Sequence, residues 1–248
     1  MRASKCNFNI NIAQTVISVE ANYDESRSHC DKYCYLGKED IRVGIDQDDI
    51  IKARKKSKYE AQLRGVSVHG YTDAYLEFYV IQRKVTEALF DYDTLLFHGS
   101  TISVDNEAYL FTAKSGTGKS THTRLWREML GDKAIMVNDD KPFLKIGEAG
   151  VLACGSPWNG KHKLGNNIQV PLKAICILER GEENHIKEIP PKEALPMLIQ
   201  QSARPADPKK MAKYMELIDR LTQKVKFYRM QCTMDSAAAQ MAYDEMRK

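Results

Sequence analysis

The chain has 248 residues, of which 43% are hydrophobic and 28% charged, and its formal net charge is +4. So small a basic surplus argues against a nucleic-acid binder, and no apolar run approaches the roughly 18 residues that a membrane helix needs. The amino-terminal residues contain no apolar signal-peptide segment. We therefore expect a globular, cytoplasmic protein that has neither nucleic acid nor a membrane as its partner.

Residues 1–70 differ in character from the rest of the chain and predict a small N-terminal α+β region of unknown role. Residues 8–20 alternate polar and apolar side chains and predict one strand, and residues 40–45 predict another. Residues 47–64 contain the densest run of lysine and arginine, which we interpret as a solvated helix face. The domain boundary is placed after residue 70.

Residues 71–248 predict a mixed α/β domain with several hairpins. Thr72 is a suitable N-cap for a helix that reaches Phe90, and residues 94–104 and 108–113 predict two strands of a hairpin. We expect the strand at 185–189 to pair with the strand at 172–179. The other predicted helices are 118–130, 192–203, 208–225 and the residues after Asp235, and the other predicted strands are 134–137, 143–146, 151–154 and 227–232.

A glycine-rich segment, Ala113-Lys-Ser-Gly-Thr-Gly-Lys-Ser-Thr121, lies between a predicted strand and a predicted helix. Its spacing is that of a phosphate-binding loop with alanine in place of the first glycine. Glycines let the backbone wrap around phosphate oxygens, and a helix start adds unpaired N–H groups. Lys119 is expected to reach the β- and γ-phosphates of ATP, and the Ser120 hydroxyl to bind Mg²⁺. The predicted nucleotide-binding residues are Ser115, Gly116, Thr117, Gly118, Lys119, Ser120 and Thr121.

Asp139 and Asp140 follow a predicted strand, 20 residues beyond Lys119. Near a triphosphate, one carboxylate can hold Mg²⁺ while the other orients and deprotonates an acceptor hydroxyl. The alternative is a polar turn, because Asn, Asp and Pro favour turns. His98 lies on the predicted strand before the loop-bearing strand, and the register of the two strands decides whether it is near the loop.

Residues 154–167 form a second glycine-rich segment, with one of the two tryptophans of the chain, Trp158. Lys161, His162 and Lys163 add positive charge that could hold an acceptor or the transferring phosphoryl group. The alternative is a surface loop that Trp158 anchors by packing. Arg204 could also reach phosphate, or could simply be solvated.

Together, His98-Gly99, the glycine-rich loop and the pair Asp139-Asp140 resemble the HPr kinase/phosphorylase superfamily, which shares its nucleotide core with ATP-dependent phosphoenolpyruvate carboxykinase. The resemblance covers about residues 94–180 and implies mixed sheets with a P-loop. It also implies Asp139 as base, His98 as its partner, and Asp140 with Ser120 at the metal, although either aspartate can take either role. Oligomers are common in that family, so a homo-oligomer is one option.

Residues 155–163 are similar to a segment of the HPr-kinase-related proteins of bacterial genomes, whereas the Glu- and Arg-containing glycine-rich motif of HPr kinases is not found. Neither HPr as acceptor nor phosphorylase activity therefore follows from the resemblance. We predict an ATP- and Mg²⁺-dependent kinase that transfers a phosphoryl group to a hydroxyl, on a serine of a protein or peptide. The alternatives are a small-molecule kinase or carboxykinase-like enzyme, and a nucleotide-dependent regulatory protein with little turnover.

Overall fold

The computed structural model of the protein describes residues 5–63, 65 and 70–248. The chain divides into two units, the first ending at Ala88 and the second beginning at Leu89. Arg64, which was predicted to end the basic helix, lies outside the described residues, as do residues 66–69 just before the predicted domain boundary.

The N-terminal unit contains a three-stranded sheet. Strands β1 (Cys6–Ile12) and β2 (Thr15–Ala21) form an antiparallel hairpin, and β3 (Ile41–Gly44) lies parallel to β2. Ala13 and Gln14 both have positive φ, 51° and 60°, as in the two-residue type I′ turn of a hairpin. The prediction of one strand over residues 8–20 is therefore wrong, because the chain reverses at a turn that carries none of the usual Asn or Gly signals.

The helices of this unit are α1 (Asp24–His29), α2 (Gln47–Leu63) and α3 (Asp73–Leu89). The Thr72 hydroxyl accepts a hydrogen bond from the Tyr75 N–H at 3.2 Å, which confirms the predicted N-cap. The lysines of α2 are exposed, as predicted.

Helix α3 is attached to the N-terminal unit through Glu77, which is fully buried. Its carboxylate accepts hydrogen bonds from the backbone and side-chain amides of Asn22, at 2.7 and 2.8 Å, and from the Ser26 hydroxyl, at 2.7 Å. The contacts of the chain thus place α3 with the N-terminal unit, whereas the sequence assigned it to the second domain.

In the second unit, nine strands of the described residues form one sheet, and helices lie on both of its faces. The strands are β4 (Thr94–Leu96), β5 (Ser100–Val104), β6 (Glu107–Thr112), β7 (Ile135–Asn138), β8 (Phe143–Ile146), β9 (Val151–Cys154), β10 (Gln169–Arg180), β11 (His185–Ile189) and β12 (Lys226–Cys232). The helices are α4 (Lys119–Leu130), α5 (Pro191–Gln201), α6 (Met211–Lys224) and α7 (Ser236–Met246). This is the mixed α/β architecture that the sequence predicts.

The long strand β10 is the branch point of the sheet. Its first residues, Gln169 to Pro171, pair antiparallel with β9, which continues to β8 and β4. Its later residues lie between β6 and β12 and are parallel to both. Because parallel strands end at the same edge, the residues that follow β6 and the last residues of β10 meet there.

The two faces of β6 are covered by different helices. Tyr109 and Phe111 pack in a cluster that includes Trp126 of α4 and Ala239 of α7. Leu110, one residue away on the opposite face, belongs to the cluster formed with α5 and α6. This alternation is the period of two that a buried strand requires.

In the second unit, two predictions about strands are wrong. The single strand over 94–104 is divided at His98 and Gly99, so that β4 pairs with β8 and β5 pairs with β6. A Cβ on Gly99 would lie 2.8 Å from the Leu110 side chain and 3.0 Å from the Phe111 carbonyl oxygen. Glycine therefore allows the chain to pass this close to β6 between β4 and β5. Strand β11 pairs with β12 and not with β10.

The hairpin between β5 and β6 is confirmed, with positive φ at Asp105 and Asn106.

Across the described ranges no helix is both long and apolar enough to cross a bilayer.

Candidate active site

The glycine-rich loop lies between the end of β6 and the start of α4. Gly116 and Gly118 have φ of 78° and 122°, a region that disfavours side chains, and no atom lies within 4 Å of the Cβ that either would gain. Glycine is thus required here by the backbone, and open space remains beside it. No side chain of the described residues caps the N-terminus of α4, so its first N–H groups are available to a ligand.

Hydrogen bonds between its own residues stabilise the glycine-rich loop. The hydroxyl of Thr117 donates to the carbonyl of Lys114 at 2.9 Å. The Lys119 ammonium donates to the carbonyl of Ala113 at 3.3 Å, so its side chain folds back over the loop. Ser115 and Ser120 are exposed, and Thr121 is half-buried.

Arg180, the last residue of β10, donates from Nη2 to the Gly116 carbonyl at 2.6 Å. Sequence reasoning missed this residue. Its signal is its position at the end of a strand that runs parallel to the loop-bearing strand.

The acidic turn after β7 is organised by Asn138, which is fully buried and was also missed. Its Oδ1 accepts from the N–H groups of Asp140, at 2.8 Å, and Lys141, at 2.6 Å. Its Nδ2 donates to the carbonyl of Ser156 at 3.1 Å. One amide therefore fixes both the acidic turn and the second glycine-rich loop. The local signal for it is an Asn at the start of a turn, because its side chain can accept from the N–H group two residues further on.

His98 lies against Asp140. The distance between His98 Nε2 and Asp140 Oδ1 is 3.2 Å, and the Gly99 N–H donates to the Asp140 carbonyl at 3.1 Å. The backbone N–H of His98 donates to Gln201 at the end of α5, and its carbonyl accepts from the Thr112 hydroxyl. The register thus brings His98 to the site, but with Asp140 as its partner rather than the Asp139 that the resemblance implies.

Asp139 faces the second glycine-rich loop and is buried. Its Oδ1 accepts from the Gly160 N–H at 2.8 Å, and a Cβ on Gly160 would lie 3.1 Å from Oδ2. Asp139 therefore anchors this loop, and only Asp140 of the pair is partly open to solvent.

The Asp140 carboxylate accepts a hydrogen bond from His98 and lies near two lysines, Lys119 and Lys141. Burial opposes its ionisation, but the hydrogen bond from His98 and the charges of Lys141, His98 and Lys119 outweigh burial and hold the pKa of Asp140 below its usual value. Burial also lowers the pKa of Lys119, against the effect of Asp140. The site thus holds an ionised carboxylate beside two lysines.

The structure separates the tentative substrate residues into two groups. Trp158 is buried and meets the Phe143 ring edge-on at 6.1 Å, so it anchors the second loop by packing. Lys161, His162 and Lys163 are exposed beyond Gly160.

Arg204 is likewise exposed. It lies two residues beyond Ser202, which bridges to Phe97, the neighbour of His98. Because Arg204 is close in sequence to this bridge, it stays among the tentative substrate residues.

The available oxygen ligands fit Mg²⁺ bound together with a nucleotide. No cluster of three or more His, Cys, Asp or Glu side chains that could hold a metal occurs in the part of the chain that the structure describes. Mg²⁺ usually takes one or two protein oxygens, with phosphate oxygens and waters completing its octahedron. The Ser120 hydroxyl and the Asp140 carboxylate can supply such oxygens from the two sides of the site.

Comparison with known proteins gives one family match. The family model described as SynChlorMet cassette protein ScmC matches residues 72–240, and no curated protein matches. Among solved structures, the HPr(Ser) kinase/phosphatase from Coxiella burnetii is similar, with 12% identity and a TM-score of 0.36. The alignment covers 62% of this chain and 99% of that one.

Proposed function

This chain belongs to the family of the SynChlorMet cassette protein ScmC, and we propose for it an ATP- and Mg²⁺-dependent phosphotransferase activity. The observation that supports the proposal is the His98–Asp140 pair, 3.2 Å apart, in the field of Lys119. Lys119 begins a helix that has an uncapped N-terminus and follows two glycines with positive φ. A phosphate chain and a proton acceptor would thus be held side by side.

The phosphates would lie on the loop from Ser115 to Thr121, where backbone N–H groups and Lys119 bind their oxygens. Mg²⁺ would be held by Ser120 and the phosphate oxygens, with Asp140 reaching it through water, and when bound it neutralises phosphate charge. Arg180 hydrogen-bonds to the Gly116 carbonyl and would keep that oxygen turned away from the phosphates.

Asp140, oriented by His98, accepts the proton of the acceptor hydroxyl, whereas Asp139 holds Gly160. The hydroxyl oxygen forms a bond to the γ-phosphorus, the bond from that phosphorus to the β–γ bridging oxygen breaks, and ADP leaves. Because the transition state of phosphoryl transfer is loose in most analyses, the proton is needed late and a carboxylate of low pKa is a sufficient base.

The assignment is tested by the isosteric pair Asp140→Asn and Asp139→Asn. We expect Asp140→Asn to lower the rate of phosphoryl transfer by about 10²–10⁴-fold while ATP binding persists, because the general base is lost. Asp139→Asn keeps an oxygen for the Gly160 N–H and should cost much less. The reverse order of the two variants would return the base to Asp139.

The acceptor that we propose is a hydroxyl, on a serine of a protein or peptide. Incubation of the protein with γ-labelled ATP and host lysate distinguishes the acceptor classes. Label in a protein or peptide band supports the proposal, and label in small molecules points to the small-molecule kinase. ATP binding without transfer of label to any acceptor would indicate the regulatory alternative instead.

A further inference from the structure

Lys141 is a largely enclosed lysine that lacks a close partner. Its side chain is 28% exposed, and the nearest carboxylate oxygen, Oδ2 of Asp140, is 3.9 Å from Nζ. In the described part of the chain, its ammonium donates no hydrogen bond. Its backbone is nevertheless fixed, because its N–H donates to Asn138 at 2.6 Å and its carbonyl accepts from the Ser156 hydroxyl at 2.6 Å.

Other lysines of similar exposure form close ion pairs. Lys173, at 27% exposure, lies 3.0 Å from Glu107, and Lys210, at 25%, lies 2.8 Å from Asp91. Enclosing an ammonium is costly unless it is paired and hydrogen-bonded. The chain meets that requirement for Lys173 and Lys210 but leaves it unmet for Lys141, inside the site.

The two carboxylates nearest to Lys141 are already engaged with other groups. Asp140 is shared between His98, at 3.2 Å, and Lys141, and it also lies in the field of Lys119. Asp139 is occupied by the Gly160 N–H. An anionic oxygen placed beside Nζ would supply the acceptor that the ammonium lacks.

We infer that Lys141 Nζ binds an oxygen of the γ-phosphoryl group of the bound nucleotide and holds that group during transfer. The inference rests on the proposed function. Lys119 comes from the loop after β6 and Lys141 from the turn after β7, so the two lysines approach the phosphate chain from different elements. As the bond to the β–γ bridging oxygen breaks and the bond to the acceptor oxygen forms, Lys141 stays with the phosphoryl oxygens.

The test compares ATP and ADP, because only ATP carries the γ-phosphoryl group. In the full-length protein, Lys141→Met should weaken ATP binding by about 10–100-fold, the range for a lost hydrogen bond to a charged group. ADP binding, measured by the same calorimetric titration with Mg²⁺, should change less than about twofold. Lys141→Arg keeps the charge and should retain the preference for ATP.

Lys173→Met is the matched control, since Lys173 is equally enclosed but pairs with Glu107 at the start of β6. It should leave both affinities unchanged and lower the melting temperature. Lys141→Met should leave the melting temperature unchanged or raise it, because it removes an ammonium without a hydrogen-bond acceptor.

Each outcome decides the matter. If Lys141→Met weakens ATP and ADP equally, or weakens neither, the role of Lys141 is overturned and the proposed function stands. A lowered melting temperature with an unchanged ATP-to-ADP ratio makes Lys141 a structural residue. If the wild-type protein binds neither nucleotide, the proposed function falls and the role of Lys141 falls with it.

Discussion

Asn138 shows how much of the site depends on a side chain that does no chemistry. Its Oδ1 accepts from two consecutive N–H groups, and its Nδ2 donates to the second glycine-rich loop. Both ends of the amide are needed, so aspartate or leucine, which have its approximate size, would each leave buried groups unsatisfied. Asp140 and Lys141 project from this one turn, and their positions depend on that amide.

His122 in α4 predicts a dependence of stability on pH. It is buried, and its Nε2 accepts from the Trp126 indole at 3.2 Å, so its proton is on Nδ1, which has no partner in the described residues. Burial lowers its pKa to about 4. An unfolded histidine has a pKa of about 6.5, so below that pH protons bind the unfolded chain preferentially. The free energy of unfolding should fall as pH decreases from 6.5 towards 4, by about 2 kcal/mol at pH 5.

Denaturant unfolding at pH 7.5 and pH 5, followed by tryptophan fluorescence, measures this difference. His122→Gln keeps an acceptor for the indole and should remove the His122 contribution to the slope. His162→Gln changes an exposed histidine and should leave the slope as it is. An identical slope in His122→Gln and the wild-type protein would show that the buried imidazole does not control it.

At the scale of elements, helix α4 has a glycine at each end. Substituting each glycine in turn distinguishes the cost of backbone strain from an effect on nucleotide binding. Gly118 precedes the helix with φ 122°, Gly131 follows it with φ 56°, and neither would bring a Cβ within 4 Å of other atoms. The ψ of Gly131 is −135°, which also places it outside the regions that alanine prefers. Alanine would thus be strained at both glycines, but only Gly118 lies in the glycine-rich loop.

We expect Gly118→Ala and Gly131→Ala each to lower stability by about 1–3 kcal/mol, the usual cost of an unfavourable backbone conformation. Only Gly118→Ala should weaken ATP binding, by tenfold or more, because relaxation of that strain moves the N–H groups at the start of α4. Thermal melts and nucleotide titration measure the two effects. Equal ATP affinities in the two variants would argue against phosphate binding at this loop.

Strand β10 is the element that assembles the second unit. It pairs with β9 through its first residues and with β6 and β12 through its later ones. This arrangement brings Arg180, at its end, to the loop after β6. The site therefore depends on pairing between strands that are more than 50 residues apart in the chain.

At the scale of the whole molecule, Glu77 joins helix α3 to the rest of the N-terminal unit, which ends at Ala88. Glu77→Ala would leave the donors of Asn22, Tyr23 and Ser26 without their acceptor, which should cost about 3 kcal/mol or more of unfolding free energy. Hydrogen exchange at the amides of Asn22 and Tyr23 would report the loss directly. Glu60→Ala, at an exposed position on α2, is the control and should leave that exchange unchanged.

The sequence by itself determined the features that depend on neighbouring residues. The loop from Ser115 to Thr121 was predicted from its spacing, and its two glycines have the positive φ that glycine tolerates best. The hairpin at Asp105 and Asn106 was predicted on the same grounds, whereas the turn at Ala13 and Gln14 was not, because its residues carry no such preference. Helix periodicity and caps, as at Thr72, are equally local.

Only the tertiary structure decided which side chains meet. Asp139 and Asp140 are adjacent in sequence, yet one faces Gly160 and the other His98, and no local pattern distinguishes them. Arg180 lies at the end of β10 and Lys141 in the turn after β7, and strand order and register bring both near the loop. The physical reason is that backbone conformation is set within a few residues, whereas burial and charge pairing are set by contacts between segments far apart in the chain.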